Sequence, residues 1–430
     1  VVYPRACRAR IHRACAGSLT VGLASIIDDN QTTLYLSMQT TRENVYQNTT
    51  IFSDWCRLWP LFTLTAAWGL VTVMLGPLLP ALVARWKILD SQAGTLFTAS
   101  FIGQLIGAWF ATRNLRLSLA AGAGLTVAGL VGLAWVGFPL AHVALFAIGI
   151  GLSAGLTAGN VIAGLSSLQR ARSLALFNVS WSAGAIACPA IVRFASAGDT
   201  RLFFLSTAAI VAVCGGLATL LPRSLTRPAS PTPNSLYTHA RLPLRLVLLF
   251  GICMVIYIGV ENAIGGWLPS FAARSNPDTK PSTIAMLYWL SELISRLLMA
   301  LLLVRMSERV LYRASLALLL SSVAFLVLIP HLAPSMLWGA AITCGASIGP
   351  VYPLLIAFLL DRFAGHPWVG RLFALASIGG AFLPWLTGVV STHFGGLRAG
   401  LIVPVAGILS MLLLSHTIGH PRSSAPAPKV

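Results

Sequence analysis

The chain has 430 residues and a formal net charge of +18, with only 9% charged against 57% hydrophobic residues. A soluble domain carries about 25% charge, so this composition excludes a water-soluble globule and calls for lipid as solvent. The positive charge does not point to nucleic acid, because Arg and Lys are spread between the apolar runs and form no single basic patch.

Residues 1–37 carry neither a helical period nor a clean signal peptide. They are read as a disordered or upstream extension within a tail that ends at residue 57. A membrane span needs about 20 apolar residues. Runs of that kind lie near 58–84, 92–112, 116–137, 140–166, 172–194 and 203–221. A Pro-rich linker at 222–243 follows, with Pro222, Pro228, Pro231, Pro233 and Pro243. Six more runs lie near 244–272, 283–305, 310–330, 334–360, 369–394 and 398–418, before a tail at 419–430. The expected fold is an all-α membrane protein of twelve transmembrane helices, with domains 58–221 and 244–418 on either side of the linker.

The basic residues set the expected orientation. Thirteen of them, from Arg113 and Arg116 to Arg362 and Arg371, fall on one side of the alternation. Seven, including Arg85, Lys87, Arg274 and Arg398, fall on the other. The richer side is expected to be cytoplasmic, with both termini there, in the cell membrane (the inner membrane if the source is Gram-negative).

The halves repeat. Gly76-Pro77-Leu78-Leu79-Pro80 matches Gly265-Gly266-Trp267-Leu268-Pro269 at an offset of 189, and Ser182-x-Gly184 matches Ser377-x-Gly379 at 195. Phe101 through Gln104 answers Leu293 through Arg296, and Gly149-x-Gly151 answers Gly345-x-Ser347, at intermediate or similar offsets. A parallel six-plus-six repeat is a transporter architecture with its site between the halves near mid-membrane.

Two acids stand inside apolar spans: Glu261 and Glu292. A carboxylate in hydrocarbon is expensive, so such groups normally face a wet, protein-lined path. Glu261 is expected either to bind solute and exchange a proton or to lock its span to a neighbour. Glu292 and Arg296 are four apart, which puts them on one helix face. They form either a static pair or a gated one in which Arg296 moves between Glu292 and Glu261. No HExxH or GxSxG motif occurs, the cysteines have no metal spacing, and no His lies mid-span beside an acid. Neither enzymatic chemistry nor a cofactor is expected.

Two stretches carry a family resemblance. Tyr257-Ile258-Gly259-Val260-Glu261-Asn262-Ala263-Ile264-Gly265-Gly266-Trp267-Leu268-Pro269 resembles the seventh-span signature of major facilitator superfamily transporters in the fucose permease-like and glucose/galactose branch. Phe373-Ala374-x-x-Ser377-Ile378-Gly379-Gly380-Ala381-x-x-Pro384-Trp385 resembles its eleventh-span signature, and Tyr288-Trp289 with Arg296 its eighth. Thr112-Arg113 stands where the superfamily usually has an Asp-Arg pair, and Asn160 occupies the fourth-span polar position where the branch has an acid.

The resemblance implies a central path lined by several spans. Trp181, Trp267, Trp289 and Trp385 would then supply aromatic platforms, and Gln104, Asn160, Asn178, Asn262, Tyr288 and Tyr352 polar contacts. Lipid-interface anchoring and helix–helix hydrogen bonds are the alternatives. The expected activity is alternating-access movement of a small polar solute, a sugar by class, coupled to H⁺, coupled to Na⁺ or uncoupled, by a monomer in the bilayer. Export of a drug or metabolite by proton antiport is the rival.

Overall fold

The computed structural model describes residues 57–111, 113–165, 170–195, 199–223, 244–363 and 368–418. The early tail, all but the first two residues of the linker, Thr112 and the segment after Ile418 lie outside the described residues. The regular elements described are helices. They run α1 (Arg57–Val73), α2 (Leu75–Trp86), α3 (Asp90–Phe110), α4 (Leu115–Trp135), α5 (Ala141–Leu165), α6 (Arg170–Ala195) and α7 (Thr200–Ala218). Then come α8 (Leu244–Ser275), α9 (Pro281–Leu303), α10 (Glu308–Leu328), α11 (Pro334–Ile348), α12 (Val351–Phe363), α13 (Trp368–His393), α14 (Leu397–Gly400) and α15 (Ile402–Ile418). Among the described residues, eleven spans are long and apolar enough to cross a membrane, or twelve when α1 and α2 count as one bent span.

Two expected spans are broken, and proline explains both. The run at 58–84 bends by 44° between α1 and α2. Pro77 has no N–H for the carbonyl of Val73, so the ladder stops there and restarts as Leu78 N–H bonds Met74 O at 3.2 Å. The run at 334–360 divides at Gly349-Pro350 into α11 and α12 for the same reason.

The sequence repeat appears as repeated close packing. Gly184 of α6 lies so near α1 that a Cβ would strike the carbonyl oxygen of Ala66, and Gly379 of α13 meets Val255 of α8 in the same way. Ala66 and Val255 are themselves 189 apart, so both ends of this contact repeat. Gly76 and Gly265, the matched glycines, touch each other between α2 and α8. Small residues of this kind let membrane helices approach to backbone contact.

The first helices pack among themselves through α3–α5, α4–α5 and α4–α7, and the later ones through α8–α13, α9–α11 and α10–α15. Among the described residues the halves are joined chiefly by α3 with α13, α6 with α9 and α2 with α8, and more weakly by α2 with α9. The α3–α13 seam runs along the ends marked by Asp90 and His393, which we term the far rim; the near rim holds Arg57 and Leu115. Large apolar side chains such as Leu117, Val143, Phe194, Leu202, Val304 and Leu328 point outward and are exposed, as lipid-facing surfaces require.

Gly184→Leu and Gly379→Leu should each lower stability by roughly 1–3 kcal/mol through overpacking against backbone. Gly124 has open space where its Cβ would go, so Gly124→Ala should leave the melting temperature unchanged or raise it slightly. Thermal unfolding of the purified protein in detergent, followed by tryptophan fluorescence, separates these outcomes.

Candidate functional site

Glu261, Glu292 and Arg296 meet. On α9, Arg296 reaches back one turn, and its Nη2 pairs with Glu292 Oε1. The same Nη2 lies 3.4 Å from Glu261 Oε1 on α8. One guanidinium therefore faces two carboxylates on two helices. The side chains are 3% exposed for Glu292, 13% for Glu261 and 22% for Arg296, so the cluster is sealed at one end and wetter at the other.

Neighbouring groups hold it in place. Tyr257, one turn before Glu261, donates its hydroxyl to Glu261 Oε1 at 2.5 Å. Tyr288 donates to the main-chain carbonyl of Glu261 at 3.4 Å. Tyr352 of α12 stacks on Tyr257 with ring centroids 5.3 Å apart. Arg296 Nε donates to the carbonyl of Gly349 at 3.3 Å. That carbonyl is free because its helical partner would be Pro353, which has no N–H. The break between α11 and α12 thus supplies an acceptor for the central arginine. Among the described residues, the second carboxylate oxygen of Glu261 has no hydrogen-bond partner.

The other expected residues divide. Trp289 is buried in α9 and meets Trp181 of α6 edge to face at 6.0 Å and Tyr288 at 5.0 Å, which places Trp181, Tyr288 and Trp289 beside the charged cluster. The indole N–H of Trp289 has no partner among the described residues. Trp267 is fully buried and donates Nε1–H to Pro384 O at 2.8 Å, so in this conformation it presents no open ring face and ties α8 to α13. Trp385 packs against Phe382 beside that seam. Asn160, Asn178 and Asn262 each donate to the carbonyl one turn earlier, at Leu156, Leu174 and Ile258. Among the described residues their amides bond only their own helices; Asn160 and Asn178 are exposed, Asn262 half-buried. Gln104 is half-buried on α3. Of the cysteines in spans, Cys188, Cys253 and Cys344 are buried and Cys214 is half-buried, all as free thiols.

Sequence reasoning missed three participants. Tyr257 was visible in principle, four residues before Glu261. The Gly349 carbonyl required recognising Pro353 as a missing donor. Asp90 stands at a span edge, where an acid attracts no notice, yet it is buried and bonded to Arg274.

Residues 61–367 match the family model described as Major Facilitator Superfamily. The chain belongs to this superfamily. It is a multi-pass membrane transporter, which implies a small-molecule substrate. No curated protein sequence is significantly similar to it. Among solved structures, a mutant of the nucleoside transporter NupG superposes with a TM-score of 0.70 at 14% identity, covering 85% of this chain and 100% of that one. A bacterial homologue of the human lysosomal transporter Spinster, inward-facing and unoccupied, gives 0.65 at 15% identity over 85% and 97%. A mutant of the peptide transporter POT gives 0.67 at 15% identity over 84% and 93%. At these identities the likeness concerns the fold, which this major facilitator protein shares with carriers of dissimilar solutes.

Removing the guanidinium leaves two carboxylates facing each other. Arg296→Met should destabilise the protein by roughly 3–5 kcal/mol. Adding Glu292→Gln to it should recover part of that loss, since one stranded charge is then gone. The melting temperatures of the two variants and the parent, measured in the same detergent, give the comparison.

Proposed function

We propose that this protein moves a small polar solute, a sugar by class, by alternating access, with proton binding coupled at the Glu261–Arg296–Glu292 cluster. The observation that carries the reading is the charge count: two carboxylates share one guanidinium across two helices. With both ionised, one negative charge remains, which a proton or a cationic ligand group can neutralise and an anionic solute cannot. The free oxygen of Glu261 is available to a hydroxyl donor. Trp181 and Tyr352, half-buried and packed on Trp289 and Tyr257, are the rings proposed to meet the apolar C–H face of a sugar. The span signatures around Glu261 and Ser377 support the fucose permease-like branch. Asn160, Asn178, Gln104 and Asn262 are proposed to meet the solute farther along the path, as Trp267 does once α3 withdraws from it. The arginine distribution supports a cytoplasmic near rim with both termini on that side.

Proteoliposomes supplied with radiolabelled fucose, galactose and glucose, with and without a proton or sodium gradient, test the proposal. A sugar should accumulate in response to the proton gradient. Glu261→Gln should lower that accumulation at least about tenfold, since it removes a group that alternates in charge, while leaving expression intact. Full gradient-driven uptake in Glu261→Gln removes this residue from coupling. Movement of a lipophilic cation with no sugar uptake replaces the reading with drug export.

A further inference from the structure

The α3–α13 seam ends in a second buried charge, far from the site. Asp90 opens α3, and its carboxylate takes a two-pronged bond from Arg274 near the end of α8: Nη1 to Oδ2 and Nη2 to Oδ1, both 2.7 Å. Ser391 of α13 donates its hydroxyl to Oδ2 at 2.5 Å. The next residue, Ser91, donates its backbone N–H to Thr392 Oγ1 at 2.8 Å. Gly388 lets the helices close here, since a Cβ on it would strike the carbonyl of Asp90. One first-half residue is therefore bonded to two helices of the second half. Charge-assisted, two-pronged contacts of this kind are the stronger and more directional ones. Asp90 also sits in the first turn of α3, where the helix dipole favours negative charge.

Three properties indicate more than static packing. Arg274 keeps 44% of its side chain exposed while Asp90 keeps 9%, so water can take over the arginine when the pair parts, and separation costs far less than for a sealed pair. Below it, the α3–α13 seam carries a single side-chain-to-backbone bond, Thr98 to Ala381 O at 2.8 Å, beside the Phe97–Trp267 contact of α3 with α8. These can be broken one after another. Finally, α8 carries both Arg274 and Glu261. Their separation of thirteen positions spans about 20 Å of helix, so a tilt of α8 at the central cluster moves the arginine at the rim. At the opposite end of α3, the turn from Phe110 to Asn114 has no acid.

We infer that Asp90, Arg274 and Ser391 form a gate latch that holds the far rim closed and opens during transport. Its loss shifts the protein toward the state open at that rim. The inference rests on the fold and on these contacts, and stands whatever the solute is.

Spin labels at Leu140→Cys and Phe394→Cys, exposed far-rim positions in opposite halves, introduced after replacing the native cysteines, report the opening by double electron–electron resonance in nanodiscs. With the latch intact, the short-distance population should dominate. Asp90→Asn and Arg274→Gln should each raise the long-distance population roughly fivefold, and Ser391→Ala should raise it less. The charge swap Asp90→Arg with Arg274→Asp should return the distribution toward the parent. Unchanged distributions in Arg274→Gln and Ser391→Ala overturn the latch even if the Asp90 variants fail to fold, and so does a charge swap no nearer the parent than the single variants. Because distances are read directly, failure of the sugar or proton reading leaves this result interpretable.

Discussion

A charge inside a membrane protein must find its counter-charge within the protein, and Arg296 shows how much structure that demand recruits. Lipid offers no hydrogen bonds, so the guanidinium has to be met by placed acceptors. It gets Glu292 from its own helix, Glu261 from α8 and a carbonyl from the break between α11 and α12. Each partner lies on a different segment of the second half. The arginine thus fixes how α8, α9 and the α11–α12 pair converge, and the tyrosines at 257, 288 and 352 are aligned around the same point.

Proline does two jobs in this architecture. It interrupts the helical ladder of a span, and it frees a carbonyl one turn earlier. Pro353 releases Gly349 O for Arg296. Pro80 and Pro269 leave the carbonyls of Gly76 and Gly265 without helical donors where α2 meets α8. Glycine complements this by admitting close approach. The paired contacts of Gly184 with Ala66 and of Gly379 with Val255 show one packing solution used twice, as duplicated halves must use it when each forms the same helix crossing.

The molecule concentrates its inter-half contacts on α2–α8, α3–α13 and α6–α9. Glu261 lies within this frame, half-buried on α8. A protein that moves solute must trade one set of such contacts for another. Its α3–α13 seam combines close packing at glycines with a few hydrogen bonds and a half-exposed ion pair, contacts strong enough to define a state and weak enough to leave it.

The sequence by itself determined the membrane class, the span positions and the repeat, because lipid imposes a length and polarity rule that each segment obeys locally. It also singled out Glu261, Glu292 and Arg296, since a charge in an apolar run is conspicuous without any knowledge of its neighbours, and helical spacing alone placed Glu292 beside Arg296. Tertiary structure decided the rest. The joining of Glu261 to Arg296 crosses two helices 35 residues apart, and Asp90 meets Arg274 across 184. Trp267 shared the sequence profile of Trp289, yet one closes a seam and the other borders the charged cluster. Which side chains meet across helices depends on rotation and crossing angle, and these are set by packing in three dimensions after the local rules have been satisfied.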